Sequence, residues 1–339
     1  MSESSPQTVF IVGAGASKDF GAIMPLGSEL ANRIEQSLNN ELDSGSRYPK
    51  GPIFDALTRL DGGMTDAHVK AGERIRRAIH SQDSIDDLLD AWRDTPAMLE
   101  VGKTAIAQII LSSEHDSHLG RGEATEQALV KCIGPLRETW LGKVVRFIRP
   151  GMNRKLLADA LEDVGFIVFN YDRCVERMLE GELLCNTVMS RSEAQAYVRQ
   201  MPIVHPYGSL TGYGDPGVYP FGRLHEYVGH MATGIRTYTE EEHNEKELAK
   251  IRALLESAKQ TIFLGFSYHP KNMSLLTSNG LKPSEDIYGA CQNPITSRLD
   301  AAKSLLFPET LRSFSDRLTD LSCTQFISAF RGKLFGAEP

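Results

Sequence analysis

The chain of 339 residues lacks the marks of several protein classes. Its five cysteines, Cys132, Cys174, Cys185, Cys291 and Cys323, include no Cys-x-x-Cys pair. An odd, scattered set opposes both a disulfide framework and a cysteine-rich zinc site. Positive charge is not in excess: a net charge of -7 opposes a general role on phosphate backbones, and no direct nucleic-acid binding is expected. No run approaches the roughly 18 apolar residues of a membrane span. The opening MSESSPQ has neither the basic start nor the apolar stretch of a secretory leader. These absences lead to the expectation of a cytoplasmic protein without membrane contact. The one basic run, KVVRFIRPGMNRK (143–155), reads as a solvated helix face. No repeat period or low-complexity tract is present.

Hydrophobic content of 41% is ample for a large core. Four short runs are rich in β-branched and aromatic residues: TVFIV (8–12), GFIVF (165–169), PIVH (202–205) and TIFLGF (261–266). Their near-continuous apolarity is how strands buried on both faces read. Helical patterns separate them. Leu26, Leu30, Ile34 and Leu38 recur every four residues after the first run. Leu248, Ile251, Leu254, Leu255 and Ala258 precede the fourth, behind a TEEE in which Thr239 and Glu242 are spaced for a capping box. Between about 40 and 160 only helix-like segments stand out, such as DSIDDLLDAW (83–92) and EQALVKCIGPLRETWLGKVVRFI (126–148), the latter broken at Pro135. The order predicts an α/β protein: a Rossmann-like parallel sheet built discontinuously from residues 1–39 and 160–339, with 40–159 as a helical insertion. The Gly/Pro-rich YGSLTGYGDPGVYPFG (207–222) is the clearest long loop.

The first strand runs into Gly13-Ala14-Gly15-Ala16-Ser17, a turn that can present backbone N–H groups and a helix start to a phosphate. A hydride-transfer dinucleotide site calls for Gly-x-Gly-x-x-Gly, but the third glycine position holds Lys18. No second strand ending in an acidic ribose ligand follows about 20 residues later. Polar or glycine-rich turns also follow the other strands: FNYD (169–172), HPYGS (205–209) and GFS (265–267). In an open parallel sheet these turns meet outside the carboxyl ends of the strands, where ligands bind.

Taken in this order, the motifs resemble the sirtuin superfamily, and within it the bacterial sirtuin-like NAD hydrolases. The opening GAGAS with a later glycine and proline looks like its NAD-binding start, FNYD like its Gln-Asn-Ile-Asp-type motif, HPYGS like its His-Gly segment and GFS like its Gly-Thr-Ser segment. The resemblance covers the sheet domain, about half the chain. It implies an NAD+ glycohydrolase that cleaves NAD+ to nicotinamide and ADP-ribose without a metal, acting in anti-phage defence by abortive infection. It further implies a homo-oligomer that works with a HerA-type ATPase partner. By the same resemblance Gly13, Ala14, Gly15, Ala16 and Ser17 contact the diphosphate, while Gly21 and Pro25 shape the loop over the nicotinamide ribose. Asn170 and Asp172 lie by that ribose as catalytic residues together with His205, and Gly265 and Ser267 face the adenosine side. Tyr207, Gly208 and Ser209 complete the cofactor-binding set. Ser84 to Asp86 looks like a recurrent helix start of sirtuin-like bacterial proteins, with Ser84 as its cap.

Chemistry assigns Asn170, as an exposed strand-end amide, to hold a ribose hydroxyl or a water, and an imidazole to take the proton as oxocarbenium charge is quenched. The sequence departs from the family pattern in two places. The residue before the glycine is Tyr207 rather than histidine, which leaves His205 or Tyr207 for the base position; residues two apart share one face of an extended segment. His269 is a weaker candidate. The four-cysteine zinc ribbon of deacylases is missing, which favours water as acceptor. A deacylase or ADP-ribosyltransferase, or a non-catalytic NAD or ADP-ribose sensor, remain the alternatives. Cys174 reads as a buried thiol rather than a nucleophile.

Overall fold

Thr8–Val12 forms β1, and its side chains divide between the two faces of a sheet. Val9 and Ile11 enter one buried apolar cluster, Phe10 and Val12 the other. A strand covered on both sides needs no polar face, so its sequence is continuously apolar. The structure, a computed structural model, describes residues 6–43, 48–122, 125–148, 156–210, 220–223, 228–238, 240 and 244–336.

The other strands are β2 (Val164–Val168), β3 (Ile203–Val204), β4 (Gln260–Leu264), β5 (Ile287–Ala290) and β6 (Leu318–Thr319). All pairings are parallel, in the order β3-β2-β1-β4-β5-β6. This is the Rossmann-like α/β arrangement, with the strand order reversing between β1 and β4. Register sets the level of the site. Val12 lies opposite both Val168 and Leu264, so Gly13, Phe169 and Gly265 leave the sheet side by side. Two strands were not anticipated: IYGA of β5 carries a glycine and β6 has two residues, too little for a period to be read.

Helices cover both faces. After β1 come a one-turn helix α1 (Ala14–Ser17) and α2 (Gly27–Leu42), which buries Leu30, Ile34 and Leu38 as the periodicity predicts. The 40–159 segment then supplies α3 (Pro52–Thr58), α4 (Asp66–Ala78), α5 (Ile85–Ala91), α6 (Pro96–Asp116), α7 (Glu126–Leu136) and α8 (Trp140–Ile148), and α9 (Leu156–Leu161) crosses its end. No strand lies between β1 and β2 among the described residues. The segment interrupts the sheet in sequence yet shares its core. Apolar residues of α3–α6 cluster with Val9 and Ile11, and those of α7–α9 with Phe10 and Val12. Pro135 sits one residue before the end of α7, and α8 starts anew at Trp140, the break the proline foretells. Of the basic run, Lys143 and Arg146 both pair with Glu138 at 3.1 Å, and Arg149 to Lys155 lie outside the described residues.

Helix α10 (Cys174–Asn186) and the helix Arg191–Gln200 connect β2 to β3. Glu245–Ser257 precedes β4, capped by Asn244, whose Oδ1 accepts from Glu247 N at 3.3 Å. The capping box expected at Thr239 and Glu242 lies outside the described residues, as do residues 211–219 of the long loop.

Candidate functional site

The glycines at the strand ends are explained by backbone meeting backbone. A Cβ on Gly13 would lie 2.5 Å from Gly265 O, and one on Gly15 2.9 Å from Gly265 Cα. Gly265 adopts φ +58, and a Cβ there would overlap the Ala16 nitrogen and the Gly15 carbonyl carbon. The two turns are also hydrogen-bonded: Gly13 N donates to Leu264 O at 2.9 Å and Gly15 N to Gly265 O at 3.0 Å. Ala16 N donates to Gly13 O at 2.9 Å. Three of the N–H groups expected to face a diphosphate are therefore engaged by the protein, while Ala14 and Gly15 remain partly exposed and Ala16 and Ser17 are buried. Trp140 Nε1 donates to Ala16 O at 2.9 Å and braces the turn from α8. Gly21 is buried against Ser117 at the end of α6, and Pro25 is also buried. Ser267 is exposed beside the β4 turn.

The β1 and β2 turns are joined by side chains. Asn170 Nδ2 donates to Gly13 O at 3.1 Å and to Ser17 Oγ at 2.8 Å. Ser17 Oγ donates to Asp172 Oδ2 at 2.9 Å, and Asp172 Oδ1 accepts from Cys174 N at 3.1 Å, at the start of α10. The sequence presented Asn170 as an exposed amide; it is 7% exposed and part of this brace. The reason is that the β2 end lies level with the glycine turn of β1, which closes over it. Burial raises the Asp172 carboxyl above its usual range, opposed by its bonds from Cys174 and Ser17.

His205 follows β3. Its Nδ1 donates to Asn170 O at 2.9 Å and its Nε2 meets Glu176 Oε1 at 2.9 Å. Burial lowers its pKa, but the Glu176 carboxylate and the Asn170 carbonyl outweigh burial and hold it above the ordinary histidine value. With an acceptor on each nitrogen, the ring is held as a double donor. The second oxygen of Glu176 is buried without a hydrogen-bond partner among the described residues. Tyr207 is buried, its hydroxyl donating to Asn272 Oδ1 at 2.6 Å. Gly208 adopts φ +67 against Gly234 O, and Ser209 is half-buried next to it. Thus Asn170, Asp172, Ser17 and the glycine turn come together, His205 touches them through the Asn170 carbonyl, and Tyr207 is turned to a different neighbour.

That neighbour, Asn272, follows Lys271 in sequence, and Lys271 belongs to a second polar cluster. Ser84 caps α5 as expected, its Oγ accepting from Asp87 N at 3.1 Å. The next residues reach the strand ends. Tyr171, inside the FNYD motif, donates its hydroxyl to Asp86 Oδ1. Lys271 Nζ lies 2.6 Å from Asp87 and 3.4 Å from Asp90. His269 Nε2 is 3.7 Å from Asp87. Burial pushes Asp86 up to about 6, the Tyr171 hydrogen bond opposing it. Burial also raises Asp87, but Lys271 and Ser84 outweigh it and leave that carboxyl low. Burial lowers His269, and burial followed by the Asp86 charge raises Tyr171. Tyr171, Glu176, Asp87, Lys271 and Asn272 were not singled out from sequence. Tyr171 and Glu176 lie within FNYDRCVE, so a search along the motif finds them; Asp87 and Lys271 are brought together only by the fold.

Cys174 is buried, and burial with the nearby Asp172 charge holds its thiol well above the usual value, which leaves no thiolate for nucleophilic work. Among the described residues no group of three or more His, Cys, Asp or Glu is placed to hold a metal ion, and no helix is long and apolar enough to cross a membrane. A cleft of about 340 Å³ lies at the opposite end of the sheet, by Thr261 and Ile287, and one of about 270 Å³ lies between α2 and α6. No family model, curated protein or solved structure matches the chain.

Proposed function

We propose that the protein is an NAD+ glycohydrolase, releasing nicotinamide and ADP-ribose. The observation that carries this reading is the meeting of the Gly13–Ser17, FNYD, HPYGS and GFS turns at the carboxyl edge of the sheet, where the strand order reverses. Fold alone names no reaction, so the reading rests on the side chains there together with the sirtuin-like motifs.

In this reading the dinucleotide lies across the glycine crossing, its diphosphate at the partly exposed Ala14 and Gly15. Asn170 is held through Nδ2 by two acceptors, which fixes the amide and leaves Oδ1 for a ribose hydroxyl or the attacking water. Water adds to the anomeric carbon as the bond to nicotinamide breaks, and the water's proton passes to a base. His205 serves as that base once its contact with Glu176 opens and the carboxylate takes the Nε2 proton. Asp172 orients Ser17 and the start of α10. Activity in anti-phage defence, a homo-oligomeric state and control by a HerA-type ATPase complete the proposal.

The double engagement of His205 favours a second reading, a module that binds NAD+ or ADP-ribose without turnover. Incubating the purified protein with NAD+ and following nicotinamide and free ADP-ribose separates the two. Release of both supports the hydrolase, binding without release supports the sensor, and ADP-ribose retained on an acceptor supports a transferase.

A further inference from the structure

A carboxylate that accepts a ribose hydroxyl is a regular part of dinucleotide sites in doubly wound sheets, where it ends the strand that follows the glycine turn. Here the chain after the glycine turn enters α2 instead, and the next strand begins only at Val164. That strand does end in a carboxylate, Asp172, but it is buried, and its two oxygens are taken by Ser17 Oγ and Cys174 N. Helix α5 brings another one. Its Asp86 accepts from Tyr171, the residue between Asn170 and Asp172, while the adjacent Asp87 is tied to His269 and Lys271, just past Ser267. Asp86 thus stands between the β2 and β4 turns.

We propose that Asp86 is a further binding and specificity-determining residue, whose carboxylate, oriented by the Tyr171 hydroxyl, accepts a ribose hydroxyl on the adenosine side and whose charge disfavours a 2′-phosphate there. This rests on the NAD+ reading above. Three observations carry it beyond placement. Tyr171 is the one side-chain hydrogen-bond partner of Asp86 among the described residues, so acceptor capacity is left over. The residue is half-buried, within reach of a ligand. Its charge has no ion-pair partner among the described residues, because Lys271 is held by Asp87 and Asp90. The groups around it are Tyr171 from the β2 turn, Asp87 of its own helix and Lys271 after β4, with Tyr207 and Glu240 facing Tyr171. Burial raises the Asp86 carboxyl to about 6, so its charge is carried at a cost to the fold, as expected of a group kept for a ligand.

The test is equilibrium binding of ADP-ribose, its 2′-deoxyadenosine analogue and its adenosine 2′-phosphate derivative to the wild-type protein, Asp86→Asn and Tyr171→Phe. These ligands are not turned over. The wild type is expected to bind ADP-ribose at least about tenfold more tightly than either analogue. Asp86→Asn keeps an acceptor for Tyr171, and its discrimination against both analogues should shrink to about threefold or less. Tyr171→Phe should bind all three more weakly while still rejecting the 2′-phosphate. A purely structural role moves all three ligands together and overturns the proposal, as does an Asp86→Asn protein with normal circular dichroism and undiminished discrimination. Nicotinamide release by the same preparations keeps the two readings apart. Turnover with unchanged discrimination overturns the Asp86 assignment alone, whereas no binding and no turnover overturns both.

Discussion

The two polar clusters at the carboxyl edge of the sheet are built in opposite ways. Around Gly13, Ser17, Asn170 and Asp172 the side chains are buried, and their bonds run between neighbouring turns without a cation. Around Asp86, Asp87, His269 and Lys271 the side chains are half-buried; Lys271 forms a charge pair with Asp87, and the Tyr171 hydroxyl holds Asp86. A buried network is stiff and intolerant of loss, since each unpaired group costs its full desolvation. An accessible charged cluster is cheaper to disturb and freer to exchange a protein partner for a ligand. The difference suits the first cluster to holding groups in fixed positions and, on the proposal above, the second to discrimination between ligands.

The comparison breaks most sharply at Gly265. Gly265→Ala places a Cβ into the Ala16 nitrogen at φ +58 and should destabilise the protein by about 4 kcal/mol or more, through overpacking and backbone strain. Denaturant unfolding reads this directly, and a loss under about 1 kcal/mol would mean that the two turns can part.

Asn170→Ala follows. Turnover should fall about 100-fold if the amide positions the reacting ribose or water. The buried brace adds a stability loss of about 1–3 kcal/mol, which an exposed amide would not show. Retained turnover in a folded variant would remove Asn170 from the chemistry. Ser17→Ala strips the Asp172 Oδ2 of its donor and Asn170 of an acceptor, and should cost about 2 kcal/mol by the same measurement.

The second cluster should respond more weakly. Ser84→Ala removes the α5 cap and should cost about 1 kcal/mol. For Asp86 the effect has a definite sign. Its folded pKa of about 6 exceeds the reference 3.8, so the folded state binds the extra proton between those values, and the residue's contribution to stability falls as pH rises through that window. Asp86→Asn removes this cost. The variant should be slightly more stable than the wild type above about pH 6, with the gain gone below about pH 4. Melting temperatures across that range decide it, and a gain that grows toward acid would reverse the assignment.

Much of the fold was legible because burial on both faces leaves a continuous apolar run, as in TVFIV and GFIVF, and because α2 repeats its leucines at helical spacing. Ser84 and Pro135 behave as local rules require. What failed was length-limited or non-local. β5 and β6 are too short to show a period, and the 40–159 helices show their amphipathic faces in sequence but not which side of the sheet they cover.

For the site, the sequence by itself determined the glycine turn, the FNYD and HPYGS motifs and the absence of a third glycine, because those are choices of residue type within a few positions. Only the tertiary structure decided that Asn170 is buried, that His205 is held at both nitrogens by Glu176 and Asn170, and that Asp86 reaches Tyr171 across 85 positions of chain. The physical reason is that burial and pairing depend on which elements the parallel sheet brings level. In this protein that level is set by Val12 lying opposite Val168 and Leu264, a register written in no single segment.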